Sequence, residues 1–153
     1  MAMSIEKAGV NLSAIYRPLN NIFLNKIMEA IRKKYICKHQ IKKGIGGLKN
    51  LIKLKNENFS TALMIDQRVS EGILSNFFGI KASTTTIPGQ LIKKFNIPVV
   101  PVYIERTKDI RFKITIHKPI YFSNNDTIQD ITDELNKNLE AMIIKKPEQW
   151  IWS

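Results

Sequence analysis

The polar trio Asp66-Gln67-Arg68 follows without a break on the apolar run Ala62-Leu63-Met64-Ile65. A run of that length reads as a buried strand, and a carboxylate, an amide and a guanidinium at its carboxyl end fall where open α/β sheets bind ligands. Polar residues also occur wherever a strand surfaces, so a solvated strand end is the plainer reading and a binding edge the chemical one. Arg17 and Arg106 close two other strand-like stretches in the same way. The histidines offer less. Five places after His39 stands Gly44 and five after His117 stands Phe122, so neither has an acid at that spacing, and both read as surface or packing residues. One cysteine, Cys37, and two distant histidines leave no metal-ligand set, and no Ser-His-Asp arrangement is evident. Gly44, Gly46 and Gly47 fit neither GxGxxG nor GxxxxGK[ST]; they read as a helix entry needing free dihedrals.

The elements that must position these groups alternate. "NLSAIYRP" reads as a strand halted by Pro18, and "NNIFLNKIMEAIRKKY" as a helix capped by Asn20 or Asn21, with Ile22, Phe23, Ile27 and Ile31 on one face. A short strand around "YICKHQI" and a basic helix through Leu48, Leu51, Ile52 and Lys55 follow, then the Ala62–Ile65 strand. Residues 72–79 read as a loop. One of three threonines caps a helix with Pro88 in its first turn, where a missing N–H needs no partner. "IPVVPVYIE" and "IRFKITIHKP" read as strands, the second alternating and so wet on one face. The last helix carries Ile128, Ile131, Leu135, Leu139 and Met142 as a stripe, with Asp126 or Thr127 as cap and Lys145-Lys146-Pro147 as its close. Strands alternating with helices predict an α/β fold, a mixed sheet flanked by helices, in one domain spanning 1–153.

Composition bounds the partners. At 153 residues, 44% hydrophobic and 24% charged, the chain is globular, and no apolar run reaches membrane-spanning length. The net charge of +11 is lopsided: residues 1–60 hold 12 Lys+Arg against 3 Asp+Glu, and residues 61–153 hold 12 against 10. A basic front half fits a polyanion, an anionic membrane surface or a phosphorylated substrate, and equally a lysine-rich genome. Aromatics interleaved with basic residues, the pattern of nucleic-acid binders, are missing, which speaks against nucleic acid.

In order and spacing, "YRPLNN" (16–21), "DQ" (66–67), "FFGIKASTTT" (77–86), "IPVVPVYIER" (97–106) and "PEQWIW" (147–152) resemble the late acyltransferases of lipid A biosynthesis. The resemblance implies a fold related to glycerol-phosphate acyltransferases. It also implies work at the cytoplasmic face of the bacterial inner membrane, where a fatty acyl chain passes from the acyl carrier protein thioester to a lipid A precursor, with no further cofactor. By the same resemblance Arg17 recognises an anion, Asp66 and Gln67 shape the acceptor pocket, and Arg68 is either their neighbour or a solvated charge. Phe77-Phe78-Gly79 borders the acyl groove or packs in the core; Trp150 and Trp152 pack the last helix or seat at a membrane interface.

The family's catalytic His-x-x-x-x-Asp/Glu, upstream of "YRP" after a membrane anchor, has no counterpart in this sequence. The resemblance therefore implies a carboxyl-terminal, truncated portion without a catalytic residue of its own, and an exposed apolar surface where the remainder would sit. Three readings follow: an inactive fragment, the non-catalytic half of a split enzyme whose histidine is separately encoded, or a basic protein binding anionic lipid or nucleic acid.

Overall fold

The computed structural model describes residues 2–42, 45–66, 69–70 and 72–150. They form two compact units, Met1–Leu63 and Met64–Ser153.

In the first unit, helix α1 (Ala2–Lys7) precedes strand β1 (Leu12–Tyr16), helix α2 (Ile22–Tyr35), strand β2 (His39–Lys42), helix α3 (Ile45–Asn56) and strand β3 (Ser60–Ala62). The sheet is parallel with order β2-β1-β3, so each crossover is a helix, as parallel pairing requires. Leu12 and Ser13 of the central strand β1 are buried, and the Ser13 hydroxyl donates to the Ser60 carbonyl at 3.2 Å. Asn21 caps α2, its side-chain oxygen accepting from the N–H groups of Phe23 and Leu24.

Two expectations are corrected in this unit. The strand predicted over Ala62–Ile65 stops at Ala62, because Ile65 is committed elsewhere: its side chain packs into the core of the second unit. Gly46 and Gly47 lie inside the first turn of α3 rather than in a turn before it, and Gly44 falls outside the described residues. The demand on Gly47 is close approach rather than dihedral freedom. A Cβ there would stand 2.0 Å from the Lys42 carbonyl oxygen and 3.3 Å from the Ile41 side chain, so only glycine lets α3 start this near the end of β2.

The second unit begins with an antiparallel hairpin of β4 (Ile73–Phe77) and β5 (Ile80–Thr84), where the sequence predicted a loop. Its two-residue turn is Phe78-Gly79, with φ of 50° and 78°. Both residues are left-handed, the backbone that matches strand twist, but phenylalanine in the first position hides the signal that Asn-Gly would give. Helix α4 (Ile87–Phe95) starts with Pro88 in its first turn, as expected, although Thr86 at its cap position makes no side-chain capping bond. Strands β6 (Val102–Lys108) and β7 (Arg111–Ile116) form a second hairpin, and α5 (Ile128–Ile143) opens on a capping box in which Thr127 and Asp130 satisfy each other's backbone N–H. A 3₁₀ turn, Pro147–Gln149, follows. The α/β class is thus realised as one parallel sheet and two antiparallel hairpins with helices packed on them.

The core of this unit is Ile92 of α4 with Ile131 and Leu135 of α5, bordered by Ile65, Val99 and Phe122. Beside it Asn136, 2% exposed, directs its amide nitrogen at the Ser75 hydroxyl (2.8 Å), the Asn76 carbonyl (3.1 Å) and the Thr84 hydroxyl (3.2 Å). Two protons serve three acceptors, so one is shared. This one side chain ties α5 to both strands of the first hairpin.

Candidate functional site

The described residues expose a run of apolar side chains on α2. Ile22, Phe23, Leu24, Ile27, Ile31 and Tyr35 all face outward. What α2 turns inward is polar. Asn25 is buried and donates to Glu29 at 2.7 Å, while its side-chain oxygen accepts from the Leu19 N–H at 2.9 Å. Glu29 also accepts from the Tyr16 hydroxyl at 2.6 Å and pairs with the Lys42 ammonium at 3.3 Å. The Arg32 guanidinium lies 4.9 Å from the centre of the Tyr16 ring.

These groups open onto a crevice of about 420 Å³ lined by Tyr16, Glu29, Lys33, Gln40, Lys42 and Gly47, with Gly46 and Asn50 completing its wall. Tyr16 ends β1 and Lys42 ends β2, so the crevice sits at the carboxyl ends of parallel strands, the edge where α/β sheets take ligands. The first turn of α3 adds backbone N–H groups that no helical carbonyl can satisfy, and with Lys33 and Lys42 it makes a wall suited to phosphate oxygens.

Electrostatics define what the crevice can do. The hydrogen bond from Tyr16, then that from Asn25 and the Lys42 pair, hold Glu29 down at about 2, against an ordinary 4.5. Burial, then the Glu29 bond and charge, push Tyr16 up to about 12, with Arg32 opposing. Near neutrality Glu29 is a bare carboxylate and Tyr16 a bound phenol. Neither exchanges protons there, so the pair orients and binds rather than acting as acid or base. Because the folded pKa of Glu29 is depressed, its contribution to stability is complete above about pH 4.5 and disappears as pH falls through about 2. Acid titration of the chain, followed by far-ultraviolet circular dichroism, is expected to show a loss in that window that Glu29→Gln removes. An unchanged acid transition in the variant would disprove the assignment.

The sequence-predicted residues fall as follows. Arg17 lies one residue past β1, exposed, beside the crevice-lining Tyr16, and makes no ion pair or hydrogen bond among the described residues. Asp66 is exposed in the second unit, four residues beyond the end of β3 rather than directly on it, and Gln67 and Arg68 lie outside the described residues. The Arg106 guanidinium lies 5.2 Å from the centre of the Phe112 ring, a packing role within the hairpin. His39 packs edge-on against Phe59 with centroids 4.6 Å apart, and Nε2 of His117 is buried without a hydrogen-bond partner among the described residues. Neither histidine has a carboxylate partner there. Glu29 and Lys42 were missed: one reads as a polar face of an amphipathic helix and the other as one of many lysines, and only the fold joins them.

A sequence profile of the bacterial lipid A biosynthesis acyltransferases matches residues 1–153. The chain belongs to that family. It is also 23% identical over 158 residues to "Lipid A biosynthesis acyltransferase 2" of Shigella flexneri, a match covering 99% of the chain and 49% of the relative, so it spans about half the length of the curated relative it matches. The family blocks quoted from the sequence meet in space within the second unit. Gln149 of "PEQW" exchanges two hydrogen bonds with the backbone of Arg106, accepting from its N–H at 2.8 Å and donating to its carbonyl at 2.9 Å. Trp150 lies 6.4 Å from the ring of Phe77 in the "FFG" block, a contact with the first hairpin, while Trp152 is outside the described residues. Phe77 and Phe78 meet edge to face at 4.9 Å. In the first unit, "YRPLNN" supplies Tyr16 to the crevice and Asn21 to the α2 cap. Among the described residues no helix is long and apolar enough to cross a membrane.

Proposed function

We propose that this chain is the acceptor-recognising part of an acyltransferase that moves a fatty acyl group from the acyl carrier protein thioester to a hydroxyl of a lipid A precursor at an anionic membrane surface. In that reaction the hydroxyl oxygen attacks the thioester carbonyl, the C–O bond forms, the C–S bond breaks, and the hydroxyl proton passes through a base to the departing thiol. The crevice between Tyr16, Lys33, Lys42 and the start of α3 carries the reading, because its cationic wall fits the precursor's phosphate while Glu29 and Tyr16 stay out of proton exchange. Arg17, flanking it, forks onto the same phosphate or onto the phosphopantetheine arm. Asp66 and Gln67 are assigned to the acceptor pocket on the family motif alone, with Arg68 as their neighbour or a solvated charge.

No base for the hydroxyl proton is evident among the described residues, so the chain by itself binds without transferring. A segment bearing a His-x-x-x-x-Asp/Glu pair, in the same protein or supplied separately, would provide that base. The binding half of the proposal is tested with vesicles containing the lipid A precursor. Arg17→Ala is expected to weaken retention by about tenfold, the worth of a charge-assisted bond to phosphate, and Arg111→Ala, an exposed charge on β7, by less than about twofold. Equal losses would reduce the effect to bulk charge and remove Arg17 from the site.

A further inference from the structure

The two oxygens of the Glu29 carboxylate are unequally occupied. Oε1 takes the Tyr16 hydroxyl at 2.6 Å, the Asn25 side-chain amide at 2.7 Å and the Lys42 ammonium at 3.3 Å. No hydrogen-bond donor reaches Oε2 among the described residues. The buried side-chain polar atoms without a partner there are Nη1 of Arg32 and Nε2 of His117, so Oε2 is not buried but open to solvent, on a residue that lines the crevice. An ionised carboxylate oxygen carries two lone pairs and can only accept. The crevice therefore holds a fixed acceptor with nothing of this chain to fill it.

Charge decides what donor belongs on it. A site for phosphate alone gains nothing from a carboxylate this close to Lys42, because the two anions repel and compete for one ammonium. Glu29 cannot turn neutral to admit the phosphate either, since the Tyr16 and Asn25 bonds hold it at about 2. The arrangement is complementary to a molecule that brings a phosphate and, a few bonds away, a hydrogen-bond donor. An ammonium donor would meet Lys33 and Lys42, which line the same crevice, whereas a hydroxyl is neutral and suffers no such repulsion. Room for a ring is present as well. Gly46 in the crevice wall is neither left-handed nor pressed against a neighbour, and a Cβ there would meet nothing within 4 Å. Glycine in a helix costs stability relative to alanine, and nothing within the chain demands it at this position.

We infer that Glu29 is a specificity-determining residue of this crevice: its Oε2 accepts a hydrogen bond from a ring hydroxyl of a sugar phosphate whose phosphate the Lys33 and Lys42 ammoniums hold. The inference rests on the phosphate-binding reading of the crevice proposed above, and adds to it the atom that separates a hydroxylated ligand from any other phosphate. Glu29→Gln isolates that atom. To keep the bonds from Tyr16 and Asn25, the amide oxygen must stand where Oε1 stood, which puts the amide nitrogen at Oε2. The inner network is kept, and the outer acceptor becomes a donor.

The full chain is titrated by calorimetry with glucose-1-phosphate and with cyclohexyl phosphate, a ring of the same size without hydroxyls. The sugar phosphate is expected to bind about tenfold more tightly, the worth of a charge-assisted hydrogen bond. In Glu29→Gln that preference is expected to fall below about threefold, while cyclohexyl phosphate binds as well as before or better because a repelling charge has gone. A purely structural Glu29 would instead weaken both compounds alike. Gly46→Leu, which stands a side chain in the open crevice, is expected to weaken both alike and so place them there. Equal affinities in the unaltered chain would overturn the inference whatever the variants do, and would leave the phosphate reading standing. Parallel losses in Glu29→Gln, a preference that this variant leaves intact, binding untouched by Gly46→Leu, or a Glu29-dependent preference shown for phosphopantetheine and not for the sugar phosphate would each overturn it too. Binding of neither compound would remove the phosphate reading and the inference together.

Discussion

Mixed with a fragment supplying a His-x-x-x-x-Glu pair, the chain is expected to gain acyl transfer by about 10²- to 10⁴-fold over either piece alone, the usual worth of a positioned general base. A sugar hydroxyl holds its proton far above neutral pH, and the nearest ordered carboxylate in the crevice, Glu29, is held at about 2, too weak a base to take it. His39 is occupied against Phe59, and His117 lacks an acid to fix its tautomer among the described residues. The assay is purified chain, acyl–acyl carrier protein and lipid A precursor, with and without the fragment. Robust transfer by the chain alone, abolished by His39→Ala or His117→Ala, would sink the reading; transfer only on mixing would show that the base is the group these 153 residues lack.

The largest expected loss of stability comes from Asn136→Ala. The substitution strips the donor from Ser75, Asn76 and Thr84 together, in a place too enclosed for water to replace it freely, and leaves a small void. An orphaned buried polar group costs about 1–3 kcal/mol, and the three acceptors share two protons, so a loss of about 3 kcal/mol is expected. Asn138→Ala, on the same helix but bonded among the described residues only to Glu134 one turn back, should lose less than about 1 kcal/mol. Urea unfolding followed by tryptophan fluorescence compares the two. Equal losses would show that the Asn136 bonds carry no special weight.

Much of the fold was legible because its signals are local. The strand before Pro18, the Asn21 cap, Pro88 in the first turn of α4 and the Thr127 box each depend on a few neighbouring residues, and each stands where the pattern put it. What failed depends on distant partners. Ile65 has the strand-like character of its neighbours, yet a core built by α4 and α5 draws it away, and that contact is not written near position 65. The Phe78-Gly79 turn escaped because the left-handed demand falls on a phenylalanine. The site divides in the same way: Arg17 could be named from a motif, whereas Glu29 and Lys42, thirteen residues apart in sequence, become a pair only once α2 packs against β2.

The side-chain amide of Gln149, bound to both backbone groups of Arg106, has a meaning beyond joining two motifs. A two-stranded hairpin has two open borders, each a row of unpaired N–H and C=O groups able to recruit a strand from another molecule. An amide carries the same donor and acceptor as a peptide unit, so Gln149 occupies one rung of that border as a strand of length one. Register cannot extend past it. The carboxyl-terminal turn thereby guards β6 against edge-to-edge association, and it does so next to Arg106, where the register shift before Lys108 would already discourage a long partner.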